Sequence, residues 1–127
     1  MTTPCVPVSW GELLDKITIL EIRLEHLRAP EAIAHVRREL ALLLAALPEP
    51  SAALEGLRAD LRAVNHRLWD IEDAIRRKEA VRTFDAGFIE LARSVYHTND
   101  ERSRIKREIN TLLGSDIVEE KHYAGYR

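Results

Sequence analysis

The chain has one cysteine, Cys5, so it can form neither an intrachain disulfide nor a thiolate metal cage, and a reducing compartment is the simplest expectation. The thiol sits near an end without activating neighbours, which gives it no reactive assignment. Nowhere do about 20 apolar residues run without interruption, as a membrane-spanning helix requires. The opening MTTPCVPVS lacks the basic and apolar segments of a signal peptide, so a cytoplasmic location is expected by elimination. An excess of positive charge is missing as well. The 19 Lys and Arg face 21 Asp and Glu, for a net −2, which argues against a nucleic-acid binder. Catalytic signatures are absent: no Ser-His-Asp, Cys-His, P-loop or glycine-rich dinucleotide pattern occurs. The five histidines do not supply the two Glu-x-x-His pairs of a di-iron bundle. His122 stands beside Glu119 and Glu120, but on a short terminal segment that reads as a solvated charge cluster. No metal and no cofactor is expected.

What is present is helical patterning. Hydrophobic residues make up 46% and charged ones 31%, with only 5 Gly and 5 Pro, the balance of a soluble helical protein. The 127 residues suit one domain, 1–127, with a disorder-prone stretch at 1–8 and an irregular tail at 115–127. Ser9 and Glu12 have capping-box spacing and Val8 with Leu13 that of a hydrophobic staple, so the first helix should begin at Trp10. Leu13, Ile17, Leu20, Leu24 and Leu27 line one of its faces, while Leu14, Ile19 and Ile22 point elsewhere, as in a helix covered on more than one side. Pro30 ends or kinks it. A leucine-rich second helix spans 31–47, read as core or as a subunit interface. A third, capped by Ser51, runs to about Val81. A fourth, capped by Asp85 with Phe84 and Ile89 as a staple, ends at Gly114. At ~1.5 Å per residue the last two are each roughly 40 Å long and must form an antiparallel hairpin. A short helical turn after Asp116 would follow. The expected fold is all-α: an antiparallel helical bundle with two shorter helices packed on a long helical hairpin.

Polar residues interrupt the buried faces. Helical projection puts Asn99, Arg102, Lys106 and Asn110 of the fourth helix beside Phe88, Val95 and Leu113, with Tyr96 on the flank. A buried cation needs a partner, and Glu72, from LWDIED in the third helix, is the expected one. Trp69, Glu72 and Arg76 share its stripe, Asp73 would lie at the rim and Asp70 in water. Lys16, Glu21 and Arg23 of the first helix could close the region. Two readings stay open. One is a charge network that fixes helix register. The other is a ligand site made of Trp69, Glu72, Arg76, Tyr96, Asn99, Arg102 and Lys106, where cations hold phosphate or carboxylate and Trp69 or Tyr96 stacks on a ring.

GELLDKITILEIR, VNHRLWDIEDAIR, FDAGFIELARSVYHTNDERSRIKREIN and SDIVEEKHY together resemble a family of small bacterial proteins of unknown function. Its members are typically encoded near glycosyltransferases and other genes of lipopolysaccharide or surface-polysaccharide assembly. Asn65, Leu68, Trp69, Glu72, Asp73 and Arg76 also look like the pattern of a second uncharacterised helical family from such neighbourhoods. The resemblance implies a cytoplasmic accessory role in surface-glycan biosynthesis, with a glycosyltransferase, another pathway protein or an anionic small molecule as partner. A small helical enzyme of chorismate-mutase style is the alternative, with Arg102, Lys106 and Arg76 clamping a dianion and Glu72 positioning or moving a proton. A structural homodimer through the second helix is the other.

Overall fold

The computed structural model describes residues 2–125; Met1 of the N-terminal stretch and Tyr126 and Arg127 of the tail lie outside the described residues. Four helices follow one another: α1 Trp10–His26, α2 Pro30–Leu44, α3 Ala52–Ala80 and α4 Ala86–Leu113, with no strand among the described residues. The expected caps set these starts. Ser9 Oγ accepts from Glu12 N at 3.1 Å, Ser51 Oγ from Leu54 N at 3.1 Å, and Asp85 Oδ1 from Phe88 N at 2.9 Å. Pro30 does not terminate α1, which ends at His26; it is the first residue of α2, where its missing N–H is no loss. The second expected staple pair stays largely exposed. Phe84 packs edge-on against Phe88 at 5.2 Å, and both Phe84 and Ile89 are exposed. The segment after Asp116 is irregular rather than a helical turn.

The core is made by α1, α3 and α4. Leu14, Leu54, Leu61, Val64, Ile105 and Ile109 are buried together, with Trp10, Leu47, Leu57 and Leu113 against them. The all-α bundle is therefore as expected, with one difference in arrangement: α2 packs on α1 and makes no contact with the hairpin. None of its residues is fully buried. α1 is thus covered on two sides. Its Leu14 joins the hairpin core, whereas Leu13, Ile17 and Leu20 are buried outside that cluster. All fully buried residues of α3 lie between Leu54 and Leu68, and those of α4 between Thr98 and Asn110. Beyond them the hairpin continues as a two-helix arm in which no residue from Trp69 to His97 is fully buried.

Candidate functional site

Where α1 crosses the hairpin, polar groups replace the hydrocarbon. The approach depends on Gly11, whose absent Cβ would lie 2.5 Å from the Lys106 carbonyl oxygen. Asn110 Oδ1 accepts from Gly11 N at 2.7 Å, so a side chain of α4 satisfies a free N–H at the start of α1. One turn on, Asp15 is 1% exposed and becomes the hub. Arg102 donates to it from Nε at 2.9 Å and from Nη2 to the second oxygen, a bidentate pair. Asn65 Nδ2 adds bonds to Asp15 at 2.8 Å and to Thr18 Oγ1 at 2.9 Å. Lys106 Nζ is 3.4 Å from Asp15, 2.7 Å from Glu12 and 3.4 Å from Glu119 of the tail. Among the described residues no buried side-chain nitrogen or oxygen lacks a hydrogen-bond partner.

Burial alone would raise the Asp15 pKa, but the bonds from Arg102 and Asn65 and the charges of Arg102 and Lys106 outweigh it and hold the carboxyl below its usual value. The bond to Asp15 pushes the Arg102 guanidinium up. Burial works against the charged form of Lys106, yet Glu12 and Asp15 shift it upward on balance. For Glu119, too, desolvation is outweighed, by Lys106 and Lys121, and its pKa falls. All four groups stay charged at neutral pH, which fixes the cluster as an ion network rather than a proton relay.

The expected site residues divide among several places. Arg102 and Lys106 do lie in the crossing, but their partners are Asp15 and Glu12 of α1, not Glu72. The reason is register. Arg67 meets Glu101 at 2.7 Å, so Glu72, five residues beyond Arg67, sits roughly 7 Å further along the arm. There it lines a cleft of about 170 Å³ with Trp69, Arg23 and Arg102, and it makes no ion pair among the described residues. Trp69 is covered on one face by His26, stacked at 4.4 Å. Tyr96, Asn99 and Arg102 line a different groove, of about 700 Å³, closed on its other side by Lys121, Tyr123 and Ala124 of the tail. Arg76 lies farther out, with Glu79 and Phe88. Of the rim residues, Lys16 pairs with Glu12 at 3.7 Å, Glu21 with Arg58 and Arg62 at 3.5 Å each, and Asp73 with Arg77 at 2.7 Å. Asp70 stays at the surface beside His66. Among the described residues no three His, Cys, Asp or Glu side chains converge to hold a metal ion.

The sequence reading passed over Asp15, Thr18 and the second role of Glu12. One signal was available: Gly11, Asp15, Thr18 and Ile22 fall on one stripe of α1. Capping-box spacing ties Glu12 only to Ser9, whereas its carboxylate reaches α4.

No helix among the described residues is long and apolar enough to cross a membrane. No characterised protein and no solved structure matches the chain. A family model matches residues 5–126, all four helices and most of the tail, and the chain belongs to that family, DUF6165, a family of unknown function.

Proposed function

We propose that the protein is a noncatalytic accessory protein of bacterial surface-glycan assembly that acts by binding a partner enzyme. The observation that carries this reading is the internal pairing at the crossing, where Arg102 and Lys106 are held by Asp15, Glu12 and Glu119 of the chain itself. Arg102 and Lys106 are each tied to carboxylates of the chain, which Lys16 and Lys121 share at Glu12 and Glu119, so neither is left open to clamp a dianionic substrate. The network is suited to locking α1 onto the hairpin. What remains for function is surface. Leu42 and Leu44 of α2 are exposed, the kind of apolar area that protein contacts cover. The pathway comes from the motif resemblance alone.

A second reading, that the chain binds an anionic metabolite, is favoured by the groove between α4 and the tail, where Arg102 and Lys121 approach Tyr96 and Tyr123. Its volume of about 700 Å³ is in the range of small-molecule sites. One pair of measurements separates the two. Crosslinking and affinity capture from the protein's own cells should recover an enzyme of glycan assembly, reproducibly and lost when Leu42→Glu is introduced. Thermal stabilisation by a sugar nucleotide, abolished in Lys121→Ala, would instead establish the metabolite reading and sink the first.

A further inference from the structure

The apex of the arm carries apolar side chains left largely open to solvent. Val81 is 71% exposed and Phe84 is 56% exposed, with Ile89 at 55% one turn below. Val81 and Phe84 are set in RRKEAVRTFD, residues 76–85, where Arg76, Arg77, Lys78 and Arg82 stand with two acids, Glu79 and Asp85. Arg77 and Lys78 are tied to Asp73 and Asp85 in exposed pairs. Arg76 and Arg82 make no ion pair among the described residues.

The backbone adds an independent observation. α3 leaves its last turn with Thr83 N donating to Lys78 O at 2.9 Å and Arg82 N to Glu79 O at 3.0 Å, a pattern that requires a left-handed residue at 82. α4 ends with the same pair of bonds, from Ser115 N to Asn110 O at 2.9 Å and from Gly114 N to Thr111 O at 3.4 Å. There the left-handed residue is a glycine, at φ 61°, whereas at the apex it is Arg82, at φ 52°. Arg82 is the one non-glycine among the described residues with positive φ. Strain held at an exposed turn, where glycine would relieve it, points to a use for the side chain.

We infer that this apex is a peripheral membrane contact: Val81 and Phe84 enter the interfacial region of an anionic bilayer while Arg76 and Arg82 meet lipid phosphates. The charge complementarity favours an anionic surface. The convex shape favours a deformable one, since two apolar side chains projecting from a turn fit between headgroups without a preformed pocket. This contact goes beyond the binding of a partner enzyme and does not depend on it.

Flotation of the purified chain with vesicles tests the proposal. Vesicles of equimolar phosphatidylglycerol and phosphatidylcholine should carry the protein, pure phosphatidylcholine vesicles should not, and added salt should release it. The Val81→Ser, Phe84→Ser double variant should lose roughly tenfold or more in binding, with its circular dichroism unchanged and its melting temperature lowered only by loss of the exposed Phe84–Phe88 contact. Arg82→Gly provides the sharper arm. Its melting temperature should rise while vesicle binding falls severalfold. The proposal is overturned if the wild type ignores anionic vesicles, if it binds neutral ones equally, or if the double variant floats as the wild type does. Retention of full binding by Arg82→Gly overturns the role given to the strained arginine. Recovery of an acidic protein through the apex, with no vesicle binding, assigns the surface to that class of partner instead.

Discussion

Asp15 shows at the scale of one residue how a buried charge organises a helix crossing. With Arg102, Lys106 and Asn65 all turned to it, Asp15→Asn leaves Arg102 without its carboxylate, while Lys106 keeps Glu12 and Glu119, and should cost about 3 kcal/mol of stability in urea unfolding. A change below about 1 kcal/mol would mean that solvent screens the pair. The pH dependence has a definite sign. Asp15 titrates lower in the fold than its usual 3.8, so its contribution is present above that value and lost as pH falls through the depressed one. Lys106 is raised above 10.5, so its contribution is complete below 10.5 and lost as pH rises through the higher folded value. Stability should therefore fall at both extremes, and Asp15→Asn should flatten the acid limb. Asp15 is hard to read because it lies opposite the leucine stripe of α1, and the cover on more than one side that Leu14, Ile19 and Ile22 predict does not say which face meets the hairpin. That stripe is buried outside the hairpin core, and the face toward the hairpin is the mixed one, Gly11, Leu14, Asp15, Thr18 and Ile22. A polar face on a doubly covered helix looks solvated until the second neighbour is known.

At the scale of elements, the helix boundaries were legible because their caps are local chemistry. Ser9, Ser51 and Asp85 each bond an N–H three residues on, and no tertiary contact is needed to see that spacing. What local pattern could not supply was the placement of α2, which depends on which of α1's two apolar faces meets which neighbour. The two matched helix exits provide an internal comparison. Gly114 has open space around the position of a Cβ, so Gly114→Ala should lower stability by about 1 kcal/mol through its backbone conformation alone. Arg82→Gly should raise it by about the same amount in thermal or chemical unfolding. If both substitutions lower stability, the Arg82 side chain holds the fold and not only the surface. Gly11 belongs to the same scale but acts through distance. Its Cβ would press on backbone rather than on a movable side chain. Gly11→Ala should therefore push α1 off α4 and destabilise by roughly 2 kcal/mol or more, a larger loss than at Gly114 despite the identical change.

For the whole molecule, the unequal distribution of buried residues divides one fold into a firm base and two looser parts. The base holds α1, the start of α3 and the end of α4, locked by the apolar cluster and the ion network. Beyond the His26–Trp69 stack the arm has only its own two helices, with Ile71, Ile75, Phe88 and Val95 half-buried along its seam. α2 is held by α1 alone. Exposed ion pairs such as Arg77 with Asp73 and Arg93 with Glu90 add little in water, so they do not compensate for the thinner packing. Local opening should consequently precede global unfolding in both parts. In native-state hydrogen exchange, amides of α2 and of the arm between Ile71 and Val95 should exchange at least about tenfold faster than those of Leu61 to Leu68 and Ile105 to Ile109. They should also depend weakly on denaturant, as opening without global exposure does. Asp15→Asn should speed exchange in the base, by loosening its lock, while leaving the apex near its wild-type rate. Uniform protection from base to apex would show instead that the arm is coupled to the core as one cooperative unit.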